Sequence, residues 1–137
     1  MASRVFDVTE LDGFARNMQR SAQQFQRQQK AFMRKEGTKL KNKTLRRART
    51  LGRKTGNYLK SIKRGKVYTY DGALAIRTYS AAPHAHLIEN GHRMVTHDGQ
   101  EVGFVRGYHV FENAGKDFEP QYQRDVEDFL DEEVEQL

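Results

Sequence analysis

Two Asp-Gly pairs, Asp71-Gly72 and Asp98-Gly99, each sit between short runs that carry Val, Ile, Thr, Tyr or Phe. A type I′ hairpin turn needs positive φ at both central positions, and Asp-Gly meets that need with little strain. The chain is therefore expected to form two antiparallel hairpins, Lys66–Asp71 with Ala73–Tyr79 and His92–His97 with Glu101–Arg106. In the first, Leu74, Ile76 and Thr78 share one face, and Ala73, Ala75 and Arg77 take the other.

Before and after the hairpins the apolar period is helical. Leu11, Ala15, Met18, Ala22, Phe25 and Phe32 recur at steps of four and three, interrupted at Gln29, and predict a helix entered at Thr9 with its stripe in a core. Gly37-Thr38 is expected to weaken or bend it. A short helix follows over 55–62, ended by Gly65. Between the hairpins, Pro83 and Gly91 bracket one turn of helix carrying Leu87 and Ile88. Val110, Phe111, Ala114 and Phe118, then Tyr122, Val126, Phe129, Leu130, Val134 and Leu137, predict a C-terminal helix with a restart or kink at Pro120. The fold class is α+β, with long N-terminal helices, a small antiparallel sheet of about four strands made of two hairpins linked by a short helix, and a C-terminal helix packed on the sheet. One domain, 1–137, is expected, divided into a basic helical part (1–65), the hairpins (66–107) and an acidic helix (108–137).

Charge divides the same way. Residues 1–70 hold 19 of the 24 Lys and Arg and 4 of the 18 Asp and Glu; the rest of the chain holds 5 and 14. Arg46, Arg47, Arg49, Arg53 and Lys54 form a candidate basic surface, and Glu127, Asp128, Asp131, Glu132, Glu133 and Glu135 a candidate acidic one. The basic half can meet nucleic-acid phosphate, or it can meet the acidic half within a copy or between copies. A small basic nucleic-acid-binding protein is accordingly the alternative function. No run of apolar residues reaches membrane-spanning length, so a soluble protein made in the cytoplasm and without a membrane partner is expected.

Nothing in the chain carries a catalytic signature. Cysteine is absent, Ser61 and Ser80 lack a nucleophile elbow, and no glycine run builds a phosphate cradle. His84, His86, His92, His97 and His109 invite a metal reading, yet none has the helical His-Glu-x-x-His spacing, and a turn of helix over 84–90 would turn His84 and His86 to different sides. The expectation is no enzyme, no metal and no cofactor.

The order of short motifs is more informative. Lys54-Thr-Gly-Asn-Tyr-Leu-Lys-Ser-Ile62, a hairpin, His84-Ala-His-Leu-Ile-Glu-Asn-Gly91, Gly103-Phe-Val-Arg-Gly107 and His109-Val-Phe111 together resemble the tail-completion, or head-to-tail joining, family of long-tailed bacteriophages and prophages. Thr55, Gly56, Ser61 and Ile62 fall at the family spacing, with Tyr58 at its leucine position and Leu59 one residue late. Ala85, Ile88, Glu89 and Gly91 match the second motif. The resemblance covers about 54–137 and departs from the family where His109-Val110 replaces the proline that usually precedes the Phe111 position.

Membership in that family implies an α+β virion subunit of the tail and neck, assembled in the host cytoplasm. It implies a ring of six copies at the head-proximal end of the tail. Its partners would be the tail-tube protein and head-completion or connector proteins, close to packaged DNA. His84, His86, Glu89, Gly91, His92 and Arg106 are the candidate partner or subunit contacts.

Overall fold

The computed structural model describes residues 8–51 and 56–136. Arg53, Lys54 and Thr55 of the expected basic surface and first motif lie outside the described residues, as does Leu137.

The chain opens on α1, Val8–Arg49, which at about 1.5 Å per residue is about 63 Å long. Glu10 in its first turn and Arg46, Arg47 and Arg49 in its last suit the helix dipole. Thr9, expected before the helix, lies inside it. No break occurs at Gly37-Thr38. Gly37 is buried, and a Cβ there would come within 2.8 Å of Ile76 Cδ1. This glycine lets the β layer approach the helix, and α1 continues through it without a break.

A short α2, Gly56–Ser61, passes directly into β1, Ile62–Arg64. The expected helix therefore ends before Ile62. The reason is a longer hairpin than the Asp-Gly pair alone indicates. β1 pairs with β4 (Thr78–Ser80), with Ile62 opposite Ser80, while β2 (Tyr68–Tyr70) pairs with β3 (Ala73–Ala75). Asp71 and Gly72 close the ribbon with φ of 50° and 79°. Between the two ladders, Lys66 and Val67 face the single residue Ile76, a bulge that keeps Ile76 and Leu74 turned inward. Gly65 is thus no helix cap; its amide donates to Arg77 O at 2.8 Å across the ribbon.

Helix α3, Ala85–Asn90, leads into the second hairpin, β5 (Gly91–Val95) with β6 (Glu101–Arg106). Among the described residues the six strands pair two by two in three ladders, and the hairpins do not merge into one sheet. The last helix, α4, Val110–Glu135, runs antiparallel along α1 and makes its main contact there. It continues through Pro120, which is exposed, so the carbonyl that loses its partner can be solvated.

Among the described residues the buried apolar ones are few: Ala48, Tyr58, Ile62, Val110, Ala114 and Phe118. Four of them form one cluster with Leu45, Leu51, Leu59, Ala85, Ile88 and Phe111 packed around it. Beyond it the α1–α4 seam is aromatic, with Phe129 stacked on Phe32 at 4.7 Å and on Phe25 at 6.1 Å. Among the described residues, no helix is long and apolar enough to cross a membrane.

Candidate functional site: the Glu89–Gly91 junction

Three of the four short motifs meet in space. Ile62 from the first, Ala85 and Ile88 from the second, and Val110 and Phe111 from the last all belong to the one core cluster. Ser61 ties the first motif to the ribbon: its hydroxyl donates to Tyr58 O and lies 2.5 Å from Ser80 Oγ, which accepts from the Ala82 amide at 3.2 Å.

The node of this arrangement is Glu89. A helix begins with unpaired amides and a positive dipole end, and a carboxylate answers both. Val110 starts α4, and Glu89 Oε1 accepts from Phe111 N at 2.9 Å while Oε2 accepts from Glu112 N at 3.0 Å. Glu89 is 22 residues earlier in the chain, so α4 is capped by another element rather than by its own His109, whose side chain makes no cap. His109 sits in the left-handed region at φ 50° and its amide donates to Glu89 O at 3.0 Å; the Tyr108 amide donates to Ile88 O at 2.8 Å. This answers the missing proline: the entry angle of α4 is set by four hydrogen bonds onto Ile88 and Glu89 instead.

Two glycines allow the crossing. Gly91 has φ 82°, and a Cβ on it would overlap Val105 O and lie 2.7 Å from Gly107 N. A Cβ on Gly107 would overlap Glu89 O and lie 2.5 Å from Asn90 C. Main chain packs on main chain here, and no other residue fits. Tyr58 is buried beside this node with its hydroxyl unpaired; burial, with the Glu89 charge adding to it, pushes its pKa up to about 12. It therefore stays neutral.

The other expected site residues scatter around the junction. His84, His86 and His92 are exposed, and Arg106 is exposed opposite Gly91. Among the described residues, no three His, Asp or Glu are gathered as a metal would need.

Among the described residues, Arg46, Arg47 and Arg49 of the basic surface do not face the acidic surface within the chain. Arg47 pairs with Asp117, Nε to Oδ2 at 2.9 Å, and Lys39 with Asp125 at 2.9 Å. This antiparallel register sets Arg46–Arg49 beside the first half of α4 and brings Glu133 against Gln28, some 20 residues back along α1. Arg46 and Arg49 remain exposed, as do Glu127, Asp128, Asp131, Glu132 and Glu135.

Sequence reasoning passed over one cluster. Glu36 is 2% exposed in the α1–α4 seam, and Lys39 Nζ bridges it (3.4 Å) to Asp125 (2.9 Å). Burial, then the neighbouring Asp125 carboxylate, pushes Glu36 up to about 7, while hydrogen bonding to Glu36 and Lys39 holds Asp125 below its usual range. A signal existed: Glu36 is the one acid between Asp12 and Asp71.

Residues 12–91, more than half of the chain, match the model of the family described as "Bacteriophage HK97-gp10, putative tail-component". The chain belongs to this family. As an HK97-gp10-like chain it is a bacteriophage tail component. The match runs from α1 to Gly91, so it includes both Glu89 and the long N-terminal helix, which carries none of the short motifs. No curated protein and no solved structure matches the chain.

Proposed function

We propose that this tail component is a tail-completion subunit. It would assemble as a ring, of six copies as the family resemblance implies, at the head-proximal end of the tail. The tail-tube protein would lie on one side and head-completion or connector proteins on the other. The role is structural, in the virion, with no enzymatic step.

The observation that carries the reading is the bare half of α1. Leu11, Phe14 and Met18 are 51%, 62% and 58% exposed, although they continue the stripe that Phe25 and Phe32 bury against Phe129. Where α4 ends, the stripe opens into a groove of about 400 Å³ whose walls include Ala22, Phe25, Leu130 and Val134. A second apolar surface lies on the β5–β6 hairpin, where Val95, Val102 and Phe104 are each 61% exposed. Apolar surface on two different elements favours a heterologous contact, which closes into a ring by rotation. Exposed His84, His86, His92 and Arg106 at the base of the hairpin would flank that contact.

The charged surfaces extend the argument. Since Arg46 and Arg49 do not have Glu127–Glu135 as partners within a copy, their pairing would be between copies. Arg47 is left out of the test because Asp117 occupies it. Arg46→Glu with Arg49→Glu is expected to abolish ring assembly at low salt, and Glu127→Lys with Asp131→Lys to restore it, both read by size-exclusion chromatography with light scattering and by electron microscopy of tail tubes. Normal assembly of the first variant, or no recovery in the combination, would remove the electrostatic contact.

A further inference from the structure

The ribbon formed by β1–β4 and β2–β3 has two unlike faces. Its inner face carries Ile62, Leu74 and Ile76 toward α1, and Arg64 donates there to Arg34 O at 3.1 Å. Its outer face carries Lys63 opposite Tyr79, then Arg77, then Tyr68 and Tyr70 opposite Ala75 and Ala73. The alanines are too small to cover the rings across from them. Tyr70 is 70% exposed, Tyr68 42% and Tyr79 38%, and the Arg77 guanidinium lies 5.8 Å from the Tyr79 ring centroid.

From Gly56 to Ser80 there are five bases and one acid, Asp71, which is in the turn. A row of bare aromatic rings set among cations suits a ligand with repeated flat groups on a polyanionic backbone. Tyr68 and Tyr70, two apart on one strand, stand about 6.6 Å apart. Bases stack at about 3.4 Å, so that separation is twice the stacking distance and accepts one base between two rings. A duplex keeps its bases paired and cannot offer them this way.

We infer that the outer face of the ribbon, Tyr68 and Tyr70 with Lys63, Arg77 and Tyr79, binds single-stranded polynucleotide by stacking on its bases and pairing with its phosphates. The site is distinct from the basic surface of α1, which has no interleaved aromatic residue, and it does not depend on the ring reading.

The test is fluorescence anisotropy of a labelled oligothymidylate 15-mer, and of a duplex of equal length, titrated with the full chain over a range of salt. The single strand is expected to bind more tightly than the duplex. Tyr68→Ala and Tyr70→Ala should each weaken single-strand binding at least about fivefold, and the Phe variants should stay within about twofold, because stacking does not use the hydroxyl. Lys63→Glu and Arg77→Glu should lower both the affinity and its salt dependence. Arg46→Glu with Arg49→Glu should leave single-strand affinity in place. Circular dichroism of the tyrosine variants shows that they fold. Absence of binding, equal binding of duplex and single strand, or Ala variants that bind like the parent chain would each overturn the inference. So would Ala variants that lose self-association while keeping the oligonucleotide, because the face would then be a subunit contact.

Discussion

The two halves of α1 carry one apolar stripe and meet two different fates. From Phe25 to Ala48 the stripe is covered: Phe129 stacks on Phe25 and Phe32, Tyr122 reaches Phe32 at 6.4 Å, and Ala48 is fully buried. From Leu11 to Ala22 the same spacing lies open to solvent. The difference is one of length and entry point. α1 has 42 residues and α4 has 26, and α4 enters beside the C-terminal end of α1 because Glu89 caps it there. An apolar period states that a surface needs covering; it does not state by what. Under the proposed function, the uncovered part is the surface available for assembly.

The sharpest way to break this comparison is to truncate one ring in each half. Phe32→Ala removes a stacked, half-buried ring and is expected to destabilise the isolated chain by about 2–3 kcal/mol in urea denaturation. Phe14→Ala should cost about 0.5 kcal/mol or less, as for an exposed position, while impairing assembly. If the two substitutions cost the same in the dilute chain, α1 is covered along its whole length and the bare half does not exist.

A smaller effect tests what fixes the boundary between the halves. Glu89→Ala leaves two amides at the start of α4 without an acceptor and should cost about 1–2 kcal/mol. Glu89→Gln keeps one acceptor oxygen and loses the charge, so it should fall between the parent and Ala. Hydrogen exchange at Phe111 and Glu112 reads the same change locally. Unaltered protection in Glu89→Ala would mean that packing of Val110 and Phe118 alone places the helix.

Much of this was legible in the sequence, and what was missed has physical causes. Asp71-Gly72 and Asp98-Gly99 made both hairpins legible, through different turns: Asp71 and Gly72 both take positive φ, whereas in the second turn Gly99 does and Asp98 does not. Glu89 and Gly91 were legible as a motif but not as a cap, since the amides that Glu89 serves belong to residues 111 and 112. Gly37 misled: a helix glycine looks like a break, and only the packing of Ile76 against it shows a close approach. Ile62–Arg64 looks like a helix end in the sequence because its strand partner, Thr78–Ser80, lies beyond the turn. The stripe from Leu11 to Met18 was expected in a core, and nothing local to it tells that α4 stops short.

The smallest expected effect concerns the covered half alone. Glu36 has its pKa raised from an ordinary value of 4.5 to about 7 in the folded chain, first by burial and then by Asp125. A carboxyl raised on folding favours the folded state when protonated, so its contribution is fully present below pH 4.5 and is lost as pH rises through 7. Asp125 is shifted the other way, and its contribution is lost only as pH falls below the ordinary aspartate range. Between pH 5 and 8 the seam should therefore weaken because of Glu36. Glu36→Gln keeps a donor toward Asp125 and does not titrate; it should flatten the slope of stability over that window and raise stability at pH 8 by about 1 kcal/mol. Thermal melts at pH 5, 6, 7 and 8 decide it. An unchanged slope in the variant would assign the pH dependence to a group outside the seam, and Lys39 would then hold Glu36 as an ordinary ion pair, charged at every pH in that range.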